Sequence, residues 1–284
     1  MPYLSIILPC LNESASLKTL LPRLRALHPE AELVVVNDGS SDDSVEIAKQ
    51  AGAVVVSHPY TQGNGAAIKN GARVATGEVL VFMDADGQHQ PEDITRLLEK
   101  FKQGFDMVVG ARNAASQASF GRLCANSFYN WFSSAMVGHQ IEDLTSGFRA
   151  VSAAKFKEFI YLLPNTFSYP TTITMAFFRA GYSVAYLPII APQRIGKSHI
   201  KPFKDGVRFL LIIFKIGTLY SPLKLFFPLS LSFFFTGLGY YAYTFLSSNR
   251  FTNMGVVLFT TAILIFLIGL VSEQITQLLY SRKE

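Results

Sequence analysis

Cysteine is nearly missing from this chain: 284 residues hold only Cys10 and Cys124, with no Cys-x-x-Cys pair. That excludes a disulfide framework and a thiolate metal centre. The histidines, at 28, 58, 89, 139 and 199, have no ligand spacing, which argues against zinc. The first residues carry no basic stretch leading into a long apolar run, so no secretory signal is expected. Charge is sparse as well, at 16% of residues, and two stretches, 225–249 and 251–272, lack Asp, Glu, Lys and Arg altogether.

Each charge-free stretch exceeds the ~20 residues needed to cross a hydrocarbon core. Two buried core helices are the alternative, but such helices are seldom so long. Pro228, Gly237 and Gly239 are tolerable in a membrane helix, and only Arg250 separates the two stretches. Basic residues before the first stretch and Arg282-Lys283 after the second predict a multi-pass anchor with both termini, and the folded part, in the cytoplasm.

The net charge of +5 is unevenly placed. Arg194, Lys197, Lys201, Lys204, Arg208, Lys215 and Lys224 are opposed only by Asp205. A basic block abutting an apolar one points to a lipid bilayer with phosphate headgroups, and not to nucleic acid. Lys204, Arg208 and Lys215 fall within roughly 40° on a helical projection, so an interfacial amphipathic helix is expected. The expected organisation is an α/β domain over 1–200, the interfacial helix over 201–224 and a two-helix anchor over 225–284.

Within 1–200, short apolar runs alternate with amphipathic segments. Strands are expected at Tyr3–Leu8, Glu32–Val36, Ala53–Ser57, Val79–Met83 and Met107–Gly110. Helices are expected at Ala15–Leu27, from an N-cap at Ser41 to Gly52, after Gly65, and from Pro91. A second membrane-surface helix is expected around Phe120, Arg122, Leu123, Phe128, Tyr129, Trp131 and Phe132. Such alternation indicates a mainly parallel sheet with helices on both faces, where ligands bind outside the carboxyl ends of strands.

Polar clusters sit at those ends. Asp84-Ala85-Asp86 closes an apolar strand, and two carboxylates at that spacing can share a hard divalent cation with phosphate oxygens. Gln88 can add a neutral oxygen. Asp38 suits a base N–H or a sugar hydroxyl; Asn12-Glu13 suits the same, although Asn12 or Ser14 could equally cap a helix. Gly63-Asn64-Gly65 fails the dinucleotide register, because Ile68 stands where a small residue belongs. It is either a plain turn or a place where the backbone approaches a ligand, with Lys69 on the helix that follows. Arg112, Arg122, the segment Asp143–Arg149 and the loop Arg194-Ile195-Gly196-Lys197-Ser198 supply donors suited to phosphate.

Taken in order, Pro9-x-x-Asn12-Glu13, Val36–Asp42, Gly63–Ala66, Asp84–His89 and Ser146–Arg149 resemble the family 2 glycosyltransferases with a GT-A (Rossmann-like) fold. More narrowly, they resemble the polyprenyl-phosphate hexosyltransferases. That resemblance implies transfer of a hexose, with inversion, from a UDP- or GDP-linked nucleotide-sugar to undecaprenyl or dolichyl phosphate. It implies that Pro9, Asn12, Glu13, Asp38, Asp84 and Ala85 line the nucleotide pocket. Asp86 and Gln88, with Asp84, would hold Mg²⁺ or Mn²⁺. Arg112, Arg122 and Arg194 would meet phosphates, with Lys197, Ser198 and Lys69 nearby. Asp143 and Arg149 complete the expected catalytic set; the acceptor is already anionic, so Asp143 is expected to position and not to remove a proton.

Two rivals stand beside this reading. A processive polysaccharide synthase would carry Gln-x-x-Arg-Trp, whereas the sole tryptophan lies in Tyr129-Asn130-Trp131. A non-catalytic membrane subunit would have no need of the Asp84/Asp86 pair. A homo-oligomer stays open, because membrane-facing and subunit-facing aromatics look alike in sequence.

Overall fold

A computed structural model describes residues 3–112, 120–165, 168–190, 214–215, 217–250 and 252–281, without the side chains of 120–126, 128–129, 280 and 281. The chain divides into two units, Met1–Ser134 with His139–Ile200, and Ala135–Gly138 with Lys201–Glu284.

The first unit is built on one sheet. Its strands are β1 (Leu4–Cys10), β2 (Glu32–Asn37), β3 (Val54–Ser57), β4 (Val79–Phe82), β5 (Met107–Arg112), β6 (Arg149–Ser152) and β7 (Val184–Ile189). Runs of valine, isoleucine and leucine make β1, β2, β4 and β5 almost wholly buried, as strands covered on both faces must be. The spatial order is β3-β2-β1-β4-β6-β5-β7. All neighbours are parallel except β6, which runs against both β4 and β5. Phe82, the last residue of β4, therefore pairs with Arg149, the first of β6.

Among the described residues, seven helices pack around this sheet or follow it: α1 (Ser14–Leu27), α2 (Ser44–Gln50), α3 (Asn64–Val74), α4 (Glu92–Phe101), α5 (Phe120–Val137), α6 (Ala153–Glu158) and α7 (Tyr169–Arg179). In α1 the buried residues are Leu17, Leu20, Leu21 and Leu24, an i, i+3, i+4, i+7 stripe. Helix α4 opens with Glu92 and Asp93 and closes with Lys100, which suits its dipole.

Helix α2 starts later than Ser41. The Asp42 carboxylate accepts from Ser44 N and Ser44 Oγ, at 3.1 and 2.5 Å, and from Ser14 N of α1 at 3.0 Å. One carboxylate thus serves the first turns of two helices. The Ser44 hydroxyl leads the donors that hold its pKa down at about 2. Ser41 N is taken by Asn12 Oδ1 at 2.8 Å, so Ser41 belongs to the loop between strands and helices.

In the second unit, α8 (Pro222–Ser248) and α9 (Asn253–Ser281) are long and apolar enough to cross a membrane. Only 11% and 17% of their most apolar windows are buried, with Leu246, Tyr243 and Leu278 among the exposed side chains. Core helices would not leave such surface bare. They pair through Ser230 Oγ, which donates to Ala262 O at 2.9 Å, and through Gly237 against Leu258 and Phe259. Glu273 Oε2 accepts from Ser221 Oγ and Leu223 N, both at 3.2 Å, at the start of α8. Both helices outrun the charge-free stretches, because α8 begins at Pro222 and α9 continues past Glu273. Of the expected interfacial helix, 201–213 and 216 lie outside the described residues; 214–215 and 217–220 are helical, and extended Ser221 separates them from α8.

Candidate active site

The carboxyl ends of β1, β2 and β4 open onto a cavity of about 440 Å³. Pro9, Cys10, Leu11 and Glu13 line it from the end of β1, Asp38 from β2, and Asp84, Ala85, Asp86 and Gln88 from β4. Thr61, Gly63 and Asn64 enter from the loop before α3. Thr145 and Gly147 come from the segment leading into β6, and Tyr169 and Pro170 from the start of α7. The reversed direction of β6 is what brings 143–148 here: an antiparallel strand begins where its neighbours end.

Asp84 is perturbed by its surroundings. Burial drives its carboxyl above the ordinary range, and the charge of Asp86 pushes the same way. His89, the amide of Asn64 and Arg112 act in opposition. Gly147 lies so close that a Cβ there would meet Tyr169 Oη at 3.1 Å and Asp84 Oδ2 at 3.6 Å. Asp86 Oδ1 accepts from Gln88 N at 3.0 Å across Gly87, whose φ of 75° closes the turn. Neither Asp84 nor Asp86 has an ion-pair partner among the described residues. Two carboxylates crowded in a cavity, one disfavoured as an anion, suit a divalent cation. No group of three His, Cys, Asp or Glu residues that could hold a metal occurs among the described residues. The two carboxylates would therefore be joined by Gln88 and by oxygens from outside the protein, a hard all-oxygen set.

Asp38 is 5% exposed and ties its strand to the next loop. Its Oδ1 accepts from Gln62 N at 2.7 Å and its Oδ2 from Gly63 N at 2.9 Å. Gly63 has φ 103°, a conformation that fits glycine and strains other residues.

Arg112 and Asp143 form a two-pronged pair, Nε to Oδ2 at 2.8 Å and Nη2 to Oδ1 at 3.1 Å. Arg112 Nη2 also donates to Thr145 Oγ1 at 2.7 Å, and Thr145 lines the cavity. Asp143 Oδ1 accepts from Thr145 N and Ser146 N as well. Burial alone would raise this carboxyl, and Arg112 with the Thr145 and backbone donors reverses the balance, leaving it below its usual range. Arg112 moves upward, since Asp143 outweighs the effect of burial.

Several expected site residues lie elsewhere. Asn12 does not line the cavity and does not cap α1; it sits at φ 57°, with its backbone N donating to Ser40 Oγ and its Oδ1 accepting from Ser41 N. Lys69 turns to the loop before α7, where Nζ donates to Leu163 O at 3.1 Å and Asn165 Oδ1 at 2.5 Å. Arg149 is fully buried, not at the cavity surface. Its guanidinium donates to Ser146 O, to Pro170 O at 3.2 Å and to Thr174 Oγ1 at 3.1 Å, so it holds the β6 entry against α7. A side chain with no exposed surface has no access to a reacting phosphate. Arg122 falls on α5 with its side chain outside the described residues, and Arg194, Lys197 and Ser198 lie outside them entirely. Conversely, Cys10, Leu11, Thr61, Tyr169 and Pro170 line the cavity without having been anticipated. Only Cys10 and Leu11, inside the Pro9–Glu13 motif, offered a signal.

A mostly parallel α/β sheet with acidic side chains gathered beyond its strand ends defines a GT-A transferase fold. Residues 5–159 match the sequence model for glycosyl transferase family 2, and residues 221–278 match that for the GtrB C-terminal hairpin. The chain belongs to glycosyl transferase family 2. It is 35% identical over 188 residues to an undecaprenyl-phosphate 4-deoxy-4-formamido-L-arabinose transferase of Photorhabdus laumondii, covering 59% of this chain and 57% of that one. The transferase of the same name in Proteus mirabilis is 32% identical over 185 residues, covering 58% and 56%. The chain thus spans a little over half the length of these relatives. Among solved structures, glucosyl-3-phosphoglycerate synthase from Mycobacterium tuberculosis, in complex with Mn²⁺, UDP and glucosyl-3-phosphoglycerate, superposes with a TM-score of 0.59. It covers 76% of this chain and 79% of its own at 22% identity, a likeness of fold.

Proposed function

We propose that this chain transfers a hexosyl group from a UDP- or GDP-sugar to a polyprenyl phosphate, inverting the anomeric centre, at the cytoplasmic face of a membrane. The observation that carries this reading is the convergence of Glu13, Asp38, Asp84, Asp86 and Gln88 on one cavity of nucleotide-accommodating size. The relatives named for transfer involving undecaprenyl phosphate support the acceptor class, and the apolar hairpin supports its location.

Asp38 and Glu13 would accept hydrogen bonds from the nucleoside. Asp84, Asp86 and Gln88 would hold Mg²⁺ or Mn²⁺, which offsets charge on a departing nucleoside diphosphate. Arg112, fixed by Asp143, presents Thr145 to the cavity and adds positive potential beside Asp84. The acceptor phosphate is anionic at neutral pH and attacks without a general base, so the protein contributes orientation and electrostatics. Arg122, Arg194, Lys197 and Ser198 are proposed to grip phosphate. The basic stretch through 201–224 is proposed to draw anionic headgroups.

The test is transfer of radiolabelled sugar from a panel of UDP- and GDP-sugars to undecaprenyl phosphate, with Mn²⁺ or with EDTA. A lipid-extractable product from one donor, lost with EDTA, is expected. Absence of product together with absence of metal-dependent nucleotide binding would favour a non-catalytic subunit.

A further inference from the structure

A line of hydrogen bonds, buried at its His58–Asp38 end, runs from α3 into the cavity wall. Asn70 Nδ2 lies 2.7 Å from His58 Nε2, and His58 Nδ1 lies 2.7 Å from Asp38 Oδ1. The other end of the Asn70 amide, Oδ1, accepts from Arg73 Nη1 at 2.6 Å, which leaves its NH₂ for the imidazole. An imidazole nitrogen that accepts carries no proton, so the ring proton is on Nδ1 and is donated to Asp38. His58 is 7% exposed, and its backbone N donates to Asn37 O at 2.8 Å, beside Asp38 in the chain.

The Asp38 carboxylate offers roughly four lone-pair positions. Three are used inside the protein, by His58 and Gln62 N on Oδ1 and by Gly63 N on Oδ2. Both positions on Oδ1 are filled. The remaining acceptor position belongs to Oδ2, on a residue that lines the cavity. Two backbone amides already tie Asp38 to the 62–63 loop, so bracing that loop does not require an imidazole. What His58 adds is a bar to rotation of the carboxylate, because turning it would forfeit the Nδ1–H bond in a buried setting.

We propose that His58, held in its Nδ1–H form by Asn70, is a positioning residue that fixes Asp38 so that Oδ2 receives an N–H or O–H from the nucleoside of the donor. This rests on the reading of the cavity as a nucleotide-sugar site. His58 touches no reacting atom; its effect passes through Asp38, into binding and not into the transfer step.

The experiment compares the full chain in detergent with His58→Leu, His58→Asn and Asn70→Leu. UDP and GDP are titrated with Mn²⁺ present, donor KM and kcat are measured, and thermal midpoints are recorded separately. For whichever nucleotide the unaltered protein binds, His58→Leu is expected to weaken affinity by about tenfold. Donor KM should rise with kcat nearly constant. His58→Asn places an amide N–H near the Nδ1 position and should recover most of the affinity, which a merely structural role would not require. Asn70→Leu should weaken binding in the same direction and carries the test if His58→Leu does not fold. Selective ¹⁵N-histidine labelling should find His58 protonated on Nδ1, with that preference lost in Asn70→Leu. Affinity in both leucine variants equal to that of the unaltered protein, failure of asparagine to rescue, or an Nε2–H ring in the unaltered protein would overturn the proposal. Binding of neither nucleotide by the unaltered protein would overturn the nucleotide-site reading itself, and the positioning role with it.

Discussion

Arg112 holds Asp143 with two guanidinium nitrogens at once, at 2.8 and 3.1 Å, and the carboxylate is almost completely buried. Because the folded pKa of Asp143 lies below its ordinary value, its stabilisation is present above the ordinary carboxylate range of about 4. It is lost as pH falls through the depressed folded value. Asp143→Asn should cost about 2 kcal/mol near neutral pH, where a charged donor loses its partner. Urea midpoints of the two proteins between pH 7 and pH 3 should converge toward the acid end. A gap that stays constant would mean that Asp143 is not ionised in the fold.

Asp86→Asn keeps the shape of the β4 turn while removing one anionic oxygen. Turnover is expected to fall by at least about a hundredfold if Asp84, Asp86 and Gln88 hold a divalent cation. Mn²⁺ should no longer improve UDP or GDP affinity, as followed by calorimetry. A variant in which Mn²⁺ strengthens binding as before would remove Asp86 from the metal set.

Arg149 should behave as a framework residue. Arg149→Ala leaves a large void and strips donors from Ser146 O, Pro170 O and Thr174 Oγ1, so a loss above about 3 kcal/mol is expected. The surviving folded protein should bind nucleotide within about threefold of the original, since few binding contacts change. Thermal midpoint and affinity, measured on the same preparations, check this. Intact stability with abolished turnover would restore Arg149 to the catalytic set.

Lys69 separates two pictures cleanly. Lys69→Met removes the contacts to Leu163 O and Asn165 Oδ1 and should lower stability by about 1 kcal/mol. Nucleotide affinity should hold within about threefold. A tenfold or greater loss of affinity without loss of stability would show that the amine reaches a phosphate.

The sheet was legible to the extent that its strands announce themselves. Val34–Val36 and Val79–Phe82 are buried on both faces and need only apolar content to be recognised. Asp38, Asp84 and Asp86 followed, because carboxylates at parallel strand ends have one place to go. Strands β6 and β7 were not anticipated, and three further things were hidden. The N-cap at Ser41 failed because Asp42 and Asn12 outbid it, and Asn12 reaches Ser41 from 29 residues away. Lys69 and Arg149 are typical phosphate-binding residue types, yet Asn165 and Thr174, far along the chain, satisfy them. Tyr169 and Pro170 enter the cavity from the start of α7, outside every motif, and no residue in 149–152 signals that β6 runs antiparallel.

Strand β6 is made after β5 but lies between β4 and β5, so the sheet cannot assemble in the order of synthesis. Until residues 149–152 arrive, β4 and β5 each present an open edge to the interior, a vulnerable condition for a nascent chain. The segment that closes this gap also carries Thr145 and Gly147 into the cavity. Closure of that gap in the sheet and delivery of this part of the pocket wall are thus a single event. A chain halted before residue 143 has the acidic wall but lacks Thr145, Gly147, Tyr169 and Pro170, and so has nothing to enclose it.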